Sequence, residues 1–164
     1  TAAHHEKLTL EVDVEIPAHV MRAVTPLFRE TRPLCLAATG GRCFNCGRTE
    51  AEAGLPIEAH HHPVERCWAE QWDWPHFIRD ARAGLWGPKV QAFDWDRFAA
   101  ERWWEFVDDM TVNGMPLCKP CHIGRDRGIH ELPFPLFVAR MYLPDGYEFS
   151  PGEVIHHSIG ETVR

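Results

Sequence analysis

The sequence predicts an α+β protein built around a four-cysteine structural zinc site and carrying a Trp-rich helical insertion. Three observations predict it. Residues 8–16, LTLEVDVEI, alternate apolar and polar without a break, the pattern of a half-buried strand. Two C-x-x-C pairs, Cys43/Cys46 and Cys118/Cys121, stand far apart in the chain, each in a turn-rich context. All seven tryptophans lie between Trp68 and Trp104, where apolar residues recur at helical spacing. A chain of 164 residues is the size of one domain, here 1–164.

The elements follow in order. After the strand at 8–16, Pro17, Pro26 and Pro33 bracket a segment with room for one or two helical turns. In GGRCFNCGR, Gly47 directly after Cys46 allows the tight backbone of a metal knuckle. LPIEAHHHPVE reads as a strand ending in three histidines. Inside the Trp-rich tract, a short helix is expected over 76–83, ended by Gly84. A longer one is expected over 95–110, with Asp94 as N-cap and Phe93 packing on Phe98 as a hydrophobic staple. Most of the tryptophans read as core on this periodicity, with stacking on nucleic-acid bases as the rival use.

Beyond the insertion, Asn113-Gly114 predicts a turn and MPLC a short strand. Pro120 opens a helix where its missing N–H costs nothing, and Gly124 and Gly128 keep that helix short. The tail adds a turn at Asp145-Gly146 and a strand at VIHHSI, whose His156 and His157 read as strand residues. The domain thus divides into 1–42, 43–67 with 113–135 as the core, the insertion 68–112, and an extension 136–164.

Composition narrows the function classes. The chain is 45% hydrophobic and carries a net charge of −7. It has no run of the roughly eighteen apolar residues that a membrane span needs. The start TAAHHEKLTL lacks the layout of a secretion signal, so a cytoplasmic protein with no membrane partner is expected. In that compartment C-x-x-C pairs favour metal over disulfides, and no βαβ context supports a redox pair. Cys35 and Cys67 read as ordinary buried or half-buried thiols. The acidity would speak against nucleic acid, but it is uneven. Residues 68–112 hold −4 of the −7, while 1–67 carry −2 and 113–164 carry −1.

Joining Cys46 to Cys118 through one ion would carry His60, His61 and His62 toward Asn113 and His122. Adjacent strand residues point to opposite sides, so neighbouring histidines take different jobs: one ligates a metal while the next takes a proton from water. A surface metal site without chemistry is the plainer reading of such a cluster.

The run C-x-x-C, IEAHHHP, then N-x-x-x-L-C-x-x-C-H resembles the zinc-ribbon HNH endonucleases, the ββα-metal or His-Me finger family. GIH and the following LPFP are similar to phage-encoded members. The resemblance implies a ββα-metal (HNH) core with Cys43, Cys46, Cys118 and Cys121 on structural Zn²⁺. It further implies that His60 is a ligand of a catalytic divalent metal (Mg²⁺, Mn²⁺, Ni²⁺ or Zn²⁺) and His61 the general base. Asn113 would hold the loop and orient the His61 imidazole, and His122 would be a second ligand. A shifted register, His61 as ligand and His62 as base, is the alternative; Glu58, two before His60, favours the first.

For the last ligand the resemblance of GIH favours His130, with Asp126 as the alternative. On a continuous helix Asp126 sits one turn from His122, whereas His130 lies about 12 Å away unless the glycines turn the chain back. Lys119, Arg125 and Arg127 are candidates for phosphate contacts, against the plainer reading of solvated surface charge.

The implied activity is hydrolysis of DNA phosphodiesters to a 5′-phosphate and a 3′-hydroxyl. A catalytically inactive zinc-stabilised scaffold is the rival, its acidic Trp-rich insertion offering a face to a basic protein partner.

Overall fold

The computed structural model describes residues 24–125 and 127–130. The expected strand at 8–16, Asp126, the turn at Asp145-Gly146 and the segment holding His156 and His157 lie outside the described residues.

Helix α1 spans Pro26–Ala38, longer than the one or two turns expected. Its start combines an N-cap with a proline: the Thr25 hydroxyl accepts from the Phe28 amide at 3.1 Å, and Pro26 follows. Pro33 does not end it. The carbonyl that its missing N–H would have met belongs to Arg29, and both residues are exposed, where water serves instead. After α1 the chain forms the first cysteine knuckle. There the Cys43 amide donates to Arg48 O at 2.9 Å, and the Gly47 amide to Cys43 O at 3.0 Å. Gly47 takes φ +69°, the left-handed value that its position after Cys46 predicts. Helix α2, Glu50–Ala53, opens with a reciprocal Thr49/Glu52 capping box.

Strands β1, Ile57–His61, and β2, Gly114–Cys118, pair antiparallel, with Ile57 opposite Cys118 and His61 opposite Gly114. Both strands fall where the sequence places them. The expected turn at Asn113-Gly114 falls slightly earlier, since Gly114 already belongs to β2. A Cβ on Gly114 would stand 2.1 Å from Met110 O and 2.9 Å from Cys35 Sγ, so only glycine fits beneath α1 here. Helix α6, Lys119–Ile123, follows β2 directly and holds Pro120 in its first turn.

Between the strands stands the Trp-rich segment. Helix α3, Trp74–Arg82, matches the expectation at 76–83; Asp73 caps the His76 amide at 3.0 Å, and Gly84 (φ +83°) ends it. A short α4, Pro88–Gln91, comes next. The single helix expected over 95–110 is not there. In its place are an Asp94-capped turn, a 3-10 turn at Ala100–Arg102 and the brief α5, Trp104–Val107. The reason is local. Ala99 is extended (φ −127°, ψ 131°), and Trp95 Nε1 donates to Val90 O at 2.8 Å, tying the indole to α4. The helical spacing of Trp95, Phe98 and Phe106 instead reflects one shared aromatic cluster, with Trp95 and Phe106 rings 4.8 Å apart. The staple partners Phe93 and Phe98 do approach, at 6.4 Å.

Two apolar clusters result. One gathers Val64, Trp74, Phe77, Val90, Trp95, Phe106 and Val107; the other gathers Ile57, Met115 and Leu117 around the cysteines. Most tryptophans serve the core, as expected: Trp74 and Trp95 are buried in the aromatic cluster and Trp72 and Trp103 pack against it, while Trp86 and Trp104 are exposed. Cys35 is buried and Cys67 half-buried. Among the described residues no helix is long and apolar enough to cross a membrane.

Candidate functional site

The two C-x-x-C pairs meet. One Sγ from each of Cys43, Cys46, Cys118 and Cys121 lies within 4.8 Å of the others, and Cys46 and Cys118 Sγ are 3.7 Å apart without a disulfide. The first knuckle and the β2–α6 junction bring them together, so sequence-distant segments share one centre. Their protonation fits a cation. The Cys121 thiol donates to Cys43, which is held down at about 4 against its burial; burial pushes Cys118 up to about 11, and the bond to Cys43 pushes Cys121 up as well. One thiolate is thus favoured at the expense of its neighbours, and four would coexist only around a divalent ion. Three buried sulfurs and one exposed, in tetrathiolate composition, suit a structural metal such as zinc.

A second cluster lies beside the first. His60, His122 and His130 each offer a ring nitrogen within 4.8 Å of the others, with ring centroids 4.9 to 5.2 Å apart. His60 projects from β1 and is buried, and His122 rides on α6. His130 arrives by a reversal: the Gly128 amide donates to Gly124 O at 2.7 Å, and the Ile129 amide to Cys121 O at 3.0 Å. A Cβ on Gly128 would lie 2.6 Å from His122 O, so the loop closes only with glycine. Burial, and after it the neighbouring imidazoles, hold His60 far below its ordinary value, at about 3. The neutral ring that results is the ligating form. Glu58 is paired with His122, whose Nδ1 stands 2.7 Å from Glu58 Oε2. Such a carboxylate would fix the His122 ring and leave its Nε2 free to bind a cation. The donor set therefore fits a divalent transition ion.

His61 faces differently, as the pleat requires. Its ring stacks on Phe28 of α1 at 5.6 Å, and its Nε2 lies 3.5 Å from Asp108 Oδ1. Asn113 is fully buried, and its hydrogen bonds hold the loop, as the resemblance implied, with no side-chain bond to that imidazole. Its Oδ1 accepts from the Val64 amide, and its Nδ2 donates to Val64 O and Val107 O, each at 2.9 Å. Its side chain binds the segment after β1, and its own carbonyl accepts from the His62 amide at 3.0 Å. The carboxylate facing His61 is Asp108.

A cleft of about 380 Å³ joins these groups, lined by His60, His61, His122 and His130 together with Glu65, Arg66 and Asp108. His62 does not line it. Neither do Lys119, Arg125 and Arg127, which are exposed elsewhere; the cation lining the cleft is Arg66. Glu65 places Oε1 3.2 Å from His60 Nε2. Burial would raise the Asp108 carboxyl, but contacts from His61 and Thr25 and the Arg66 charge outweigh it and hold Asp108 below the usual range. Sequence reasoning missed Arg66, Asp108 and Glu65. Only the step of two from Glu58 to His60, one face of a strand, carried a signal for Glu58. Compared with known proteins, the chain matches no family model, no curated protein and no solved structure.

Proposed function

We propose that the chain is a metal-dependent endonuclease of the HNH, or His-Me finger, kind that hydrolyses DNA phosphodiester bonds. The observation that carries this reading is one cleft holding three convergent imidazoles, His60, His122 and His130, beside a fourth, His61, that points away from their cluster. A scaffold needs the cysteines alone. A hydrolase needs a separate base next to the ligands, and what supports that reading is His61 following His60 on β1, with His122 on α6 and His130 in the loop after it.

When bound by the three histidines, a divalent cation would supply charge that stabilises the scissile phosphate and the leaving oxygen. The chain's own residues do the rest. His61 takes the proton of the attacking water. Asn113 fixes the backbone on which His61 and His62 sit, through Val64 and its own carbonyl. Arg66 presents a guanidinium to a phosphate entering the cleft.

The test is nicking of supercoiled plasmid with Mg²⁺, Mn²⁺, Ni²⁺ or Zn²⁺. Native protein should nick with at least one of these metals, and His61→Ala should slow it about 10²–10⁴-fold, the usual range for a general base. No cutting by native protein under any metal, or equal cutting by His61→Ala, overturns the reading. A zinc-stabilised scaffold that binds a protein partner is the second reading. Leu85 and Trp86, exposed side by side between α3 and α4, favour it, and an inactive native chain would point there.

A further inference from the structure

Asp108 is 1% exposed, yet it is a charged side chain at the C-terminal end of α5. A buried carboxylate is costly unless partnered, and its partners come from three separate parts of the chain. From the N-cap of α1, the Thr25 hydroxyl donates to Oδ2 at 2.9 Å. From the 3-10 turn after β1, Arg66 Nε stands 3.1 Å from Oδ1, its guanidinium lying 5.6 Å from the Trp103 ring centroid. From the end of β1, His61 Nε2 stands 3.5 Å from the same oxygen. The main chain is pinned as well: Thr31 Oγ1 donates to Asp108 O at 3.1 Å and accepts from the Met110 amide at 2.9 Å.

Oδ1 is the telling atom. It, Arg66 Nε and His61 Nε2 are all buried and converge, but none reaches hydrogen-bond alignment. Buried polar atoms left so need a reason. Long, poorly aligned contacts that tighten when substrate binds are common at catalytic bases. Among the described residues nothing else meets the His61 ring at that end, since the Asn113 amide is engaged with Val64 and Val107. Phe28 stacks on the imidazole at 5.6 Å, and the Asp108 carboxylate is the group that faces its Nε2.

We propose that Asp108 is the positioning residue for His61: its carboxylate accepts the Nε2–H of the imidazole and leaves Nδ1 as the atom that takes the proton from water. The assignment of His61 as base rests on the nuclease reading; the pairing of ring and carboxylate does not. Thr25 and Arg66 hold the carboxylate ionised and in place. Helix α1 is then part of the site, and its first turn acts on the reaction through two links, Thr25 to Asp108 and Phe28 to His61.

Two readouts on the full chain test this. The tautomer of His61 is read from long-range ¹H–¹⁵N correlations of histidine-labelled protein, its signals assigned by their loss in His61→Ala. Native His61 should be wholly Nε2–H. In Asp108→Ala its two nitrogens should move toward averaged shifts, the nicking kcat should fall about 10–100-fold with the KM for DNA unchanged, and added formate should restore part of both. A native Nδ1–H tautomer, or unchanged His61 shifts in Asp108→Ala, overturns the proposal. If Asp108→Ala does not fold, the native tautomer decides by itself. If native protein nicks nothing, the nuclease reading falls, while the tautomer still decides whether Asp108 positions His61.

Discussion

Asn113 shows how much of a site one side chain can hold without touching chemistry. It is fully buried, and its three side-chain hydrogen bonds all end on main-chain atoms of Val64 and Val107. Asn113→Ala leaves one amide and two carbonyls without partners in the core. Each such orphan costs about 1–3 kcal/mol, and the loss is partly relieved by relaxation, so about 3 kcal/mol of stability should go. Urea unfolding of the native and variant chains measures it; a difference below about 0.5 kcal/mol would show that the loop has other anchors. His60 makes the complementary point. Its burial, and after it the imidazoles of His130, His122, His61 and His62, keep it neutral, the form in which a ring nitrogen can bind a metal.

At the scale of the element, α6 and the loop after it decide whether three histidines become one site. His122 and His130 are eight positions apart, and a continuous helix would separate them by about 12 Å. Gly128, packed against His122 O, turns the chain instead. Gly128→Ala should push the loop outward, move His130 from His60 and His122, and weaken metal binding at the histidines about 10–100-fold while the tetrathiolate centre keeps its ion. Titration with Co²⁺ separates the two sites, because thiolate and imidazole ligation give different visible spectra. Equal affinity in the variant would sink this account of the loop. β1, β2, the cysteine knuckles, α3 and the short α6 were legible in the sequence, since the short apolar runs, Gly47, Gly84 and Pro120 act locally. The helix expected over 95–110 was not legible as what it is: its aromatic spacing serves a cluster formed with α3 and α4, and tertiary packing overrode the local period. Asp108, Arg66 and Thr25 were invisible for a similar reason, as they meet only when α1 packs over β1.

For the whole molecule, the tetrathiolate centre decides whether there is a fold to discuss. It ties the knuckle after α1 to the β2–α6 junction, and the β1–β2 pair so held closes the base of the Trp-rich segment. Zinc in such sites contributes about 10–16 kcal/mol, comparable with the 5–15 kcal/mol that a whole domain usually has. The aromatic cluster holds no cysteine ligand, but Asn113 bonds Val64 and Val107, which belong to that cluster, and adjoins β2. Loss of the ion should therefore spread: opening the strand pair frees Asn113, and the cluster loses its anchor. Native protein should retain about one zinc per chain through dialysis, and Cys43→Ser should retain none. All seven tryptophans lie in the segment between the strands, so their emission reports on that segment alone. Chelation, or Cys43→Ser, should shift the emission to the red as zinc leaves, in one transition. Zinc release with unchanged tryptophan emission would mean that the aromatic cluster stands without the metal, and that the centre staples only its own half of the chain.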